Sequence, residues 1–181
     1  MNEKIETPVQ QLMERLVIAD RNLDGLTRAR QFYVTSWIIK TAMMLDACET
    51  FHVGIRRCPI DEVGYFYRYG VPSAFTNVWI GQSAENFMGS DPPKNMALRG
   101  GILAQVILKK VWAPWLTLYR LTALAIHQPP ETYEPVELPA EAQRFMIRIW
   151  PPHEDFIEWP PEPMDRSTFE SVRRMVVTMA P

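Results

Sequence analysis

The stretch HVGIRRCPIDEVGYFYRYG, residues 52–70, interrupts the helical periodicity on either side of it. Aromatic and β-branched residues flank a short Cys-Pro-Ile-Asp-Glu turn, a pattern that reads as two strands joined in a hairpin over residues 53–69. In such a hairpin Tyr65, Tyr67 and Tyr69 share one face while Phe66 and Arg68 share the other.

Upstream of this stretch the signals are helical. Thr7 followed by Pro8 suits a helix start, because the hydroxyl can cap an orphan amide and proline fits the first helical position. Val9, Leu12, Met13, Leu16 and Val17 then form a one-sided stripe that ends in turn-forming residues at 20–25. A longer helix is expected over 26–51. Its apolar residues, among them Phe32, Tyr33, Trp37, Met44 and Leu45, spread around the circumference, so it should lie across the core.

Downstream, residues 75–88 read as a strand entering a helix and 89–95 as a loop. Helix is expected over 96–111 despite Gly100 and Gly101. Pro114 breaks that run, and a second helix follows over 115–126. Phe145, Ile147 and Ile149 alternate with Arg144, Met146 and Arg148, marking a half-exposed strand over 144–150. A closing helix from about Ser167 carries Phe169, Val172, Val176 and Met179 on one stripe. Strands and helices do not alternate regularly, which selects the α+β class. The expected architecture is one helix-rich domain over 1–181, with a small, mostly antiparallel sheet built from the hairpin and the 144–150 strand.

Composition narrows the functional classes. The 181 residues are 47% hydrophobic and carry a formal charge of −2, without the basic excess that drives binding to phosphate backbones. The two cysteines, Cys48 and Cys58, with no secretory pattern after Met1, read as thiols of a reducing cytoplasm. No run is apolar enough to span a bilayer. No phosphate loop, nucleophile elbow or zinc-ligand spacing is present, so no metal site is assigned.

Residues 128–163 form a distinct acidic, proline-rich segment holding nine of the sixteen prolines. Within it Trp150-Pro151-Pro152 and Trp159-Pro160-Pro161 echo one another. Proline keeps the backbone extended and tryptophan supplies a large contact area, so these six residues are candidates for docking a protein partner. Folding of both rings back over the sheet is the competing reading. A second candidate is a basic and aromatic patch of Arg56, Arg57 and Arg68 beside Tyr65 and Tyr67, able to grip phosphate or stack on a base. Asp61 or Glu62 would then assist a metal or a water. Pairing of these arginines with nearby acids is the structural alternative.

Tyr65-Phe66-Tyr67-Arg68-Tyr69-Gly70 resembles the strand and turn of the sulfiredoxin and ParB-like superfamily, in which an aromatic-rich strand runs into a glycine turn that holds nucleotide phosphate. The resemblance covers fewer than ten residues. After Gly70 the chain continues Val71-Pro72-Ser73-Ala74, without the second glycine, the reactive cysteine or the His-Arg pair of sulfiredoxin, so no sulfiredoxin chemistry carries over. What the resemblance implies is a nucleotide- or DNA-handling fold of the sort also found in plasmid-encoded inhibitors of conjugative transfer.

Two functional expectations follow. The first is a cytoplasmic accessory or inhibitory protein that binds a protein partner without a cofactor, in the manner of a mobile-element-encoded regulator of conjugative transfer. The second is an enzyme acting on nucleotide or DNA phosphate, an ATPase or nuclease, with ATP and Mg2+ at the Arg/Tyr patch.

Overall fold

A five-stranded antiparallel sheet forms the centre of the protein, in the order β3-β4-β5-β2-β6. The computed structural model describes residues 2–17, 23, 25–53, 57–84, 99–101, 111–118 and 120–179. The central strands are β2 (Thr76–Gln82) and β5 (Leu121–His127), paired over their whole length from Thr76↔His127 to Gln82↔Leu121. Flanking them are β4 (Trp115–Leu118), β6 (Met146–Trp150) and the short edge strand β3 (Arg99–Gly101). Two further strands, β1 (Gly25–Thr27) and β7 (Phe156–Glu158), pair separately. Five α-helices stand among the described residues: α1 (Asn2–Val17), α2 (Arg28–Val53), α3 (Ile60–Tyr69), α4 (Ala140–Gln143) and α5 (Arg166–Met179). The fold is α+β.

The strand period explains the layering. Successive side chains leave opposite faces of a strand, and β2 divides accordingly: Val78 and Ile80 join a core with α1, α2 and Phe66 of α3, whereas Trp79 joins a second core with α4 and α5. The sheet is therefore covered on both sides. Close packing on the second side leaves no room at Gly81, where a Cβ atom would meet Phe145 O at 2.5 Å and Met146 Sδ at 2.6 Å.

Several expectations hold. The long helix over 26–51 is α2, and buried residues do spread around it, from Val34 and Ile39 to Ser36, Lys40 and Asp46. The half-exposed strand of 144–150 is β6. The closing helix is α5, capped by Asp165, whose carboxylate accepts from the Thr168 amide at 2.7 Å; that bond holds its pKa below the ordinary value. Helix α1 begins at Asn2, so Thr7 and Pro8 lie inside it and do not start it.

Three expectations are overturned. Residues 60–69 are not the second strand of a hairpin but α3, with residues 54–56 of the first strand outside the described residues. Glu62 and Phe66 are buried one turn apart, Asp61 and Glu62 stand in the first turn, and Gly70 closes the helix in the left-handed conformation at φ 76°. The tyrosine alternation is coincidental to this, since Tyr65, Tyr67 and Tyr69 are all exposed. Residues 115–126 are not a helix but β4 and most of β5. Every residue of β5 is buried, and a strand covered on both faces reads as an unbroken apolar run that periodicity cannot tell from a helix. Finally, Gly100 and Gly101, expected inside a helix over 96–111, sit in β3 against Leu116 and Trp115; most of that expected helix lies outside the described residues.

Candidate functional site

Helices α2 and α3 border an open cavity of about 440 Å³, within the roughly 300–1,000 Å³ typical of ligand pockets. Its walls are Met43, Met44, Val63, Phe66 and Tyr67, with Lys40, Asp46, Thr50 and Cys58 supplying the polar atoms. Two stripes of helical spacing reach it, through Met44 and Ala47 on α2 and Val63 and Tyr67 on α3. Met44, Ala47 and Phe51 lie at i, i+3 and i+7 on α2, and Ile60, Val63 and Tyr67 at the same intervals on α3. Among the described residues, seven of the eight exposed large apolar side chains belong to this helix pair: Phe32, Met44, Phe51, Ile60, Tyr65, Tyr67 and Tyr69. Phe51 is 88% exposed and Tyr67 74%. At about 100° per residue, Tyr65 and Tyr69 fall on the opposite flank of α3 from Tyr67, where their rings touch at a tilt of 47° with centroids 4.6 Å apart.

Polar contacts fix both helices around the cavity. Asp46, 1% exposed, accepts from the backbone amides of Arg57 at 3.2 Å and Cys58 at 3.0 Å, which ties the α2–α3 connection to α2. On the other side of α3, the buried Glu62 carboxylate accepts from the Ser73 amide at 3.0 Å and the Thr76 hydroxyl at 2.8 Å. Thr76 Oγ1 is also 2.9 Å from His127 Nδ1. With its one proton given to Glu62, the hydroxyl can only accept there, so Nδ1 carries the imidazole proton. His127 is buried, and desolvation holds its pKa below the usual imidazole value against the opposing pull of Glu62 and Asp61. This network anchors α3 to β2 and β5.

The tryptophan segment is placed differently from the docking expectation. Trp159 is 5% exposed, inside the core shared with α1 and α2. Trp150 is half-buried, packs against the same core, and donates from Nε1 to Ser73 O at 3.2 Å. The connection between them is stitched to the start of α2: Arg28 N–H donates to Asp155 O at 2.9 Å, and Gln31 Nε2 donates to Glu154 O at 3.0 Å. The rings thus satisfy the chain's own core. Pro160 is exposed, whereas Pro151, Pro152 and Pro161 are half-buried.

The described arginines of the phosphate-gripping patch stand at opposite ends of α3. Arg56 lies outside the described residues. Arg57 precedes α3 and Arg68 stands in its last turn, about 12 Å from the helix start at 1.5 Å per residue. Glu62 points into the sheet network, leaving Asp61 as the exposed acid of the pair. No group of three or more His, Cys, Asp or Glu side chains able to hold a metal occurs among the described residues. The segment that carries the superfamily resemblance, residues 65–70, is helix and helix cap, whereas the resemblance implies strand and turn.

Sequence reasoning misses the groove residues of α2, and Val63 of α3, because they read as core or as strand. The legible signal is the i, i+3, i+7 series Ile60, Val63, Tyr67. No helix among the described residues is long and apolar enough to cross a membrane. Neither a family model, nor a curated protein, nor a solved structure matches this chain.

Proposed function

We propose that this chain works by binding a protein partner, and that the contact is made by the groove between α2 and α3 and not by the tryptophan segment. The observation that carries the reading is that exposed Met44 and Tyr67 line one cavity, with Phe51 and Ile60 exposed farther along the same two helical stripes. Solvent-exposed apolar groups gathered in this way mark interaction surfaces. A groove between two helices accepts the apolar stripe of an amphipathic helix, read as anchors at i, i+3, i+4 and i+7. Tyrosine and methionine suit such a contact, since the first gives area at low entropic cost and the second adapts its shape. Binding of this kind is how an accessory or inhibitory protein acts. For the narrower role in conjugative transfer, the support is the six-residue resemblance alone, and its helical conformation weakens it.

A photo-reactive phenylalanine analogue placed at Tyr67 tests the reading in cells. The expected result is a cross-linked protein that is lost when Phe51→Glu is introduced into the same chain. The same analogue at Phe156, exposed but far from the groove in the sequence, serves as the comparison. Equal cross-linking from the two positions, or none from Tyr67, would count against the groove.

A further inference from the structure

We infer that the partner is a second copy of this chain, docked by antiparallel pairing of α3 with α3 and with the two Gly64 residues at the two-fold axis. The inference deepens the proposed function and rests on it, since it names the occupant of the same surface. At about 100° per residue, the face of α3 opposite the buried Glu62 and Phe66 is centred on Gly64 and also carries Ile60, Asp61, Tyr67 and Arg68. All five are exposed, Ile60 by 75% and Tyr67 by 74%. Glycine is a poor helix former, yet a Cβ atom at Gly64 would meet no atom of the described residues within 4 Å, so the packing within one chain does not call for it. A second helix crossing at this point, by contrast, comes close because no side chain stands between the two backbones.

On this face Ile60 and Tyr67 lie to one side of Gly64, and Asp61 and Arg68 to the other. Along the helix axis, Ile60 and Asp61 precede Gly64 by about 6 and 4.5 Å, and Tyr67 and Arg68 follow it by about 4.5 and 6 Å. A two-fold axis through an antiparallel contact keeps the sides and reverses the heights. It therefore sets Asp61 against Arg68 of the second copy, and Ile60 against its Tyr67, each pair forming twice. A parallel pair would face Asp61 with Ile60 and Arg68 with Tyr67, so neither charge would gain a counter-ion. The face is thus complementary to itself in one orientation, and the two ion pairs fix that register.

Sedimentation equilibrium on the full chain tests this. The parent is expected to show a reversible monomer–dimer equilibrium. Asp61→Arg and Arg68→Asp each bring like charges together twice and should weaken the dimer about tenfold or more, whereas the double variant, with both pairs restored and their signs exchanged, should return to within about threefold of the parent. Gly64→Gln replaces a poor helix former with a good one. At a dilution where both chains are monomeric it should melt no lower than the parent, while its dimer is lost. Circular dichroism checks the fold of each variant. A parent that sediments as a monomer throughout the micromolar range, single swaps that dimerise like the parent, or a double swap no tighter than the singles would each overturn the inference. Failure here is separable from failure of the groove: a monomeric parent whose Tyr67 probe cross-links a different protein would remove the second copy as partner and keep the groove, and a monomeric parent with no cross-link would remove both.

Discussion

Replacement of Glu62 by alanine is the perturbation that most directly probes how the candidate surface is held. Glu62 is 1% exposed and supplies the acceptor for two buried donors, the Ser73 amide and the Thr76 hydroxyl. Each donor stranded in the interior costs about 1–3 kcal/mol. The hydroxyl has a second option, turning its proton toward His127 Nδ1 at 2.9 Å, if the imidazole shifts its own proton to Nε2. The amide has none. The expected loss is therefore about 1–3 kcal/mol, a sizeable share of the roughly 5–15 kcal/mol that holds a typical domain folded. For a chain of this size that corresponds to a Tm lowered by about 2–12 °C. Urea unfolding followed by far-ultraviolet circular dichroism measures the total, and amide hydrogen exchange across residues 60–69 locates it. Asp61→Ala removes an equal charge from the exposed side of the same turn and should stay within about 0.5 kcal/mol of the parent. If the two alanine variants proved equally stable, the Glu62 carboxylate would not be what secures α3, and the groove would owe its rigidity to something else.

Two further outcomes follow from the same geometry. Since burial lowers the pKa of His127 in the folded chain, the folded state binds its proton more weakly than the unfolded state. The stabilisation linked to this residue is full above the ordinary value of 6.5 and is lost as the pH falls below it, with a slope of at most about 1.4 kcal/mol per pH unit. Urea midpoints taken from about pH 7.5 down to pH 5 should show a shallower decline in His127→Gln; identical slopes would remove His127 from the explanation. Trp159→Ala should cost about 3–5 kcal/mol, as for a large aromatic taken from a core, whereas Phe156→Ala, at 49% exposure, should cost under about 1 kcal/mol by thermal melting. Comparable small losses at both positions would restore Trp159 as a surface residue.

Under the proposed function, the groove joins stability to recognition. Asp46 holds the connection between α2 and α3, Glu62 holds α3 to the sheet, and between those two buried carboxylates the apolar stripes remain outside. A carboxylate buried on hydrogen-bond donors is a specific tether. It explains how a ten-residue helix can keep Ile60 and Tyr67 in water without turning them inward. Because Ile60, Val63 and Tyr67 repeat at helical spacing, the exposed stripe follows from the helix once Glu62 and Phe66 are buried.

What the chain's own order of residues determined is the class of fold and those elements whose pattern needs no partner to interpret. Helix α2 is long, α5 carries a clear stripe, and β6 forms within the run read as a strand, although its buried residues, Met146 and Ile149, lie on opposite faces. Tertiary structure decided the rest. The run Leu121–His127 is apolar on both faces because helices cover the sheet from both sides, and no local period records that. The helix at Ile60–Tyr69 was masked by tyrosines alternating in water, while its true signature was a polar residue, Glu62, buried beside Phe66. A carboxylate reads as exposed until Ser73, Thr76 and His127 are brought around it from other elements. Trp159 likewise reads as a contact residue until the pairing of β1 with β7 and the bonds to the start of α2 draw it into the core. Side chains declare their periodicity locally, but whether a given face meets water depends on which distant elements cover it, and that is settled only when the chain closes on itself.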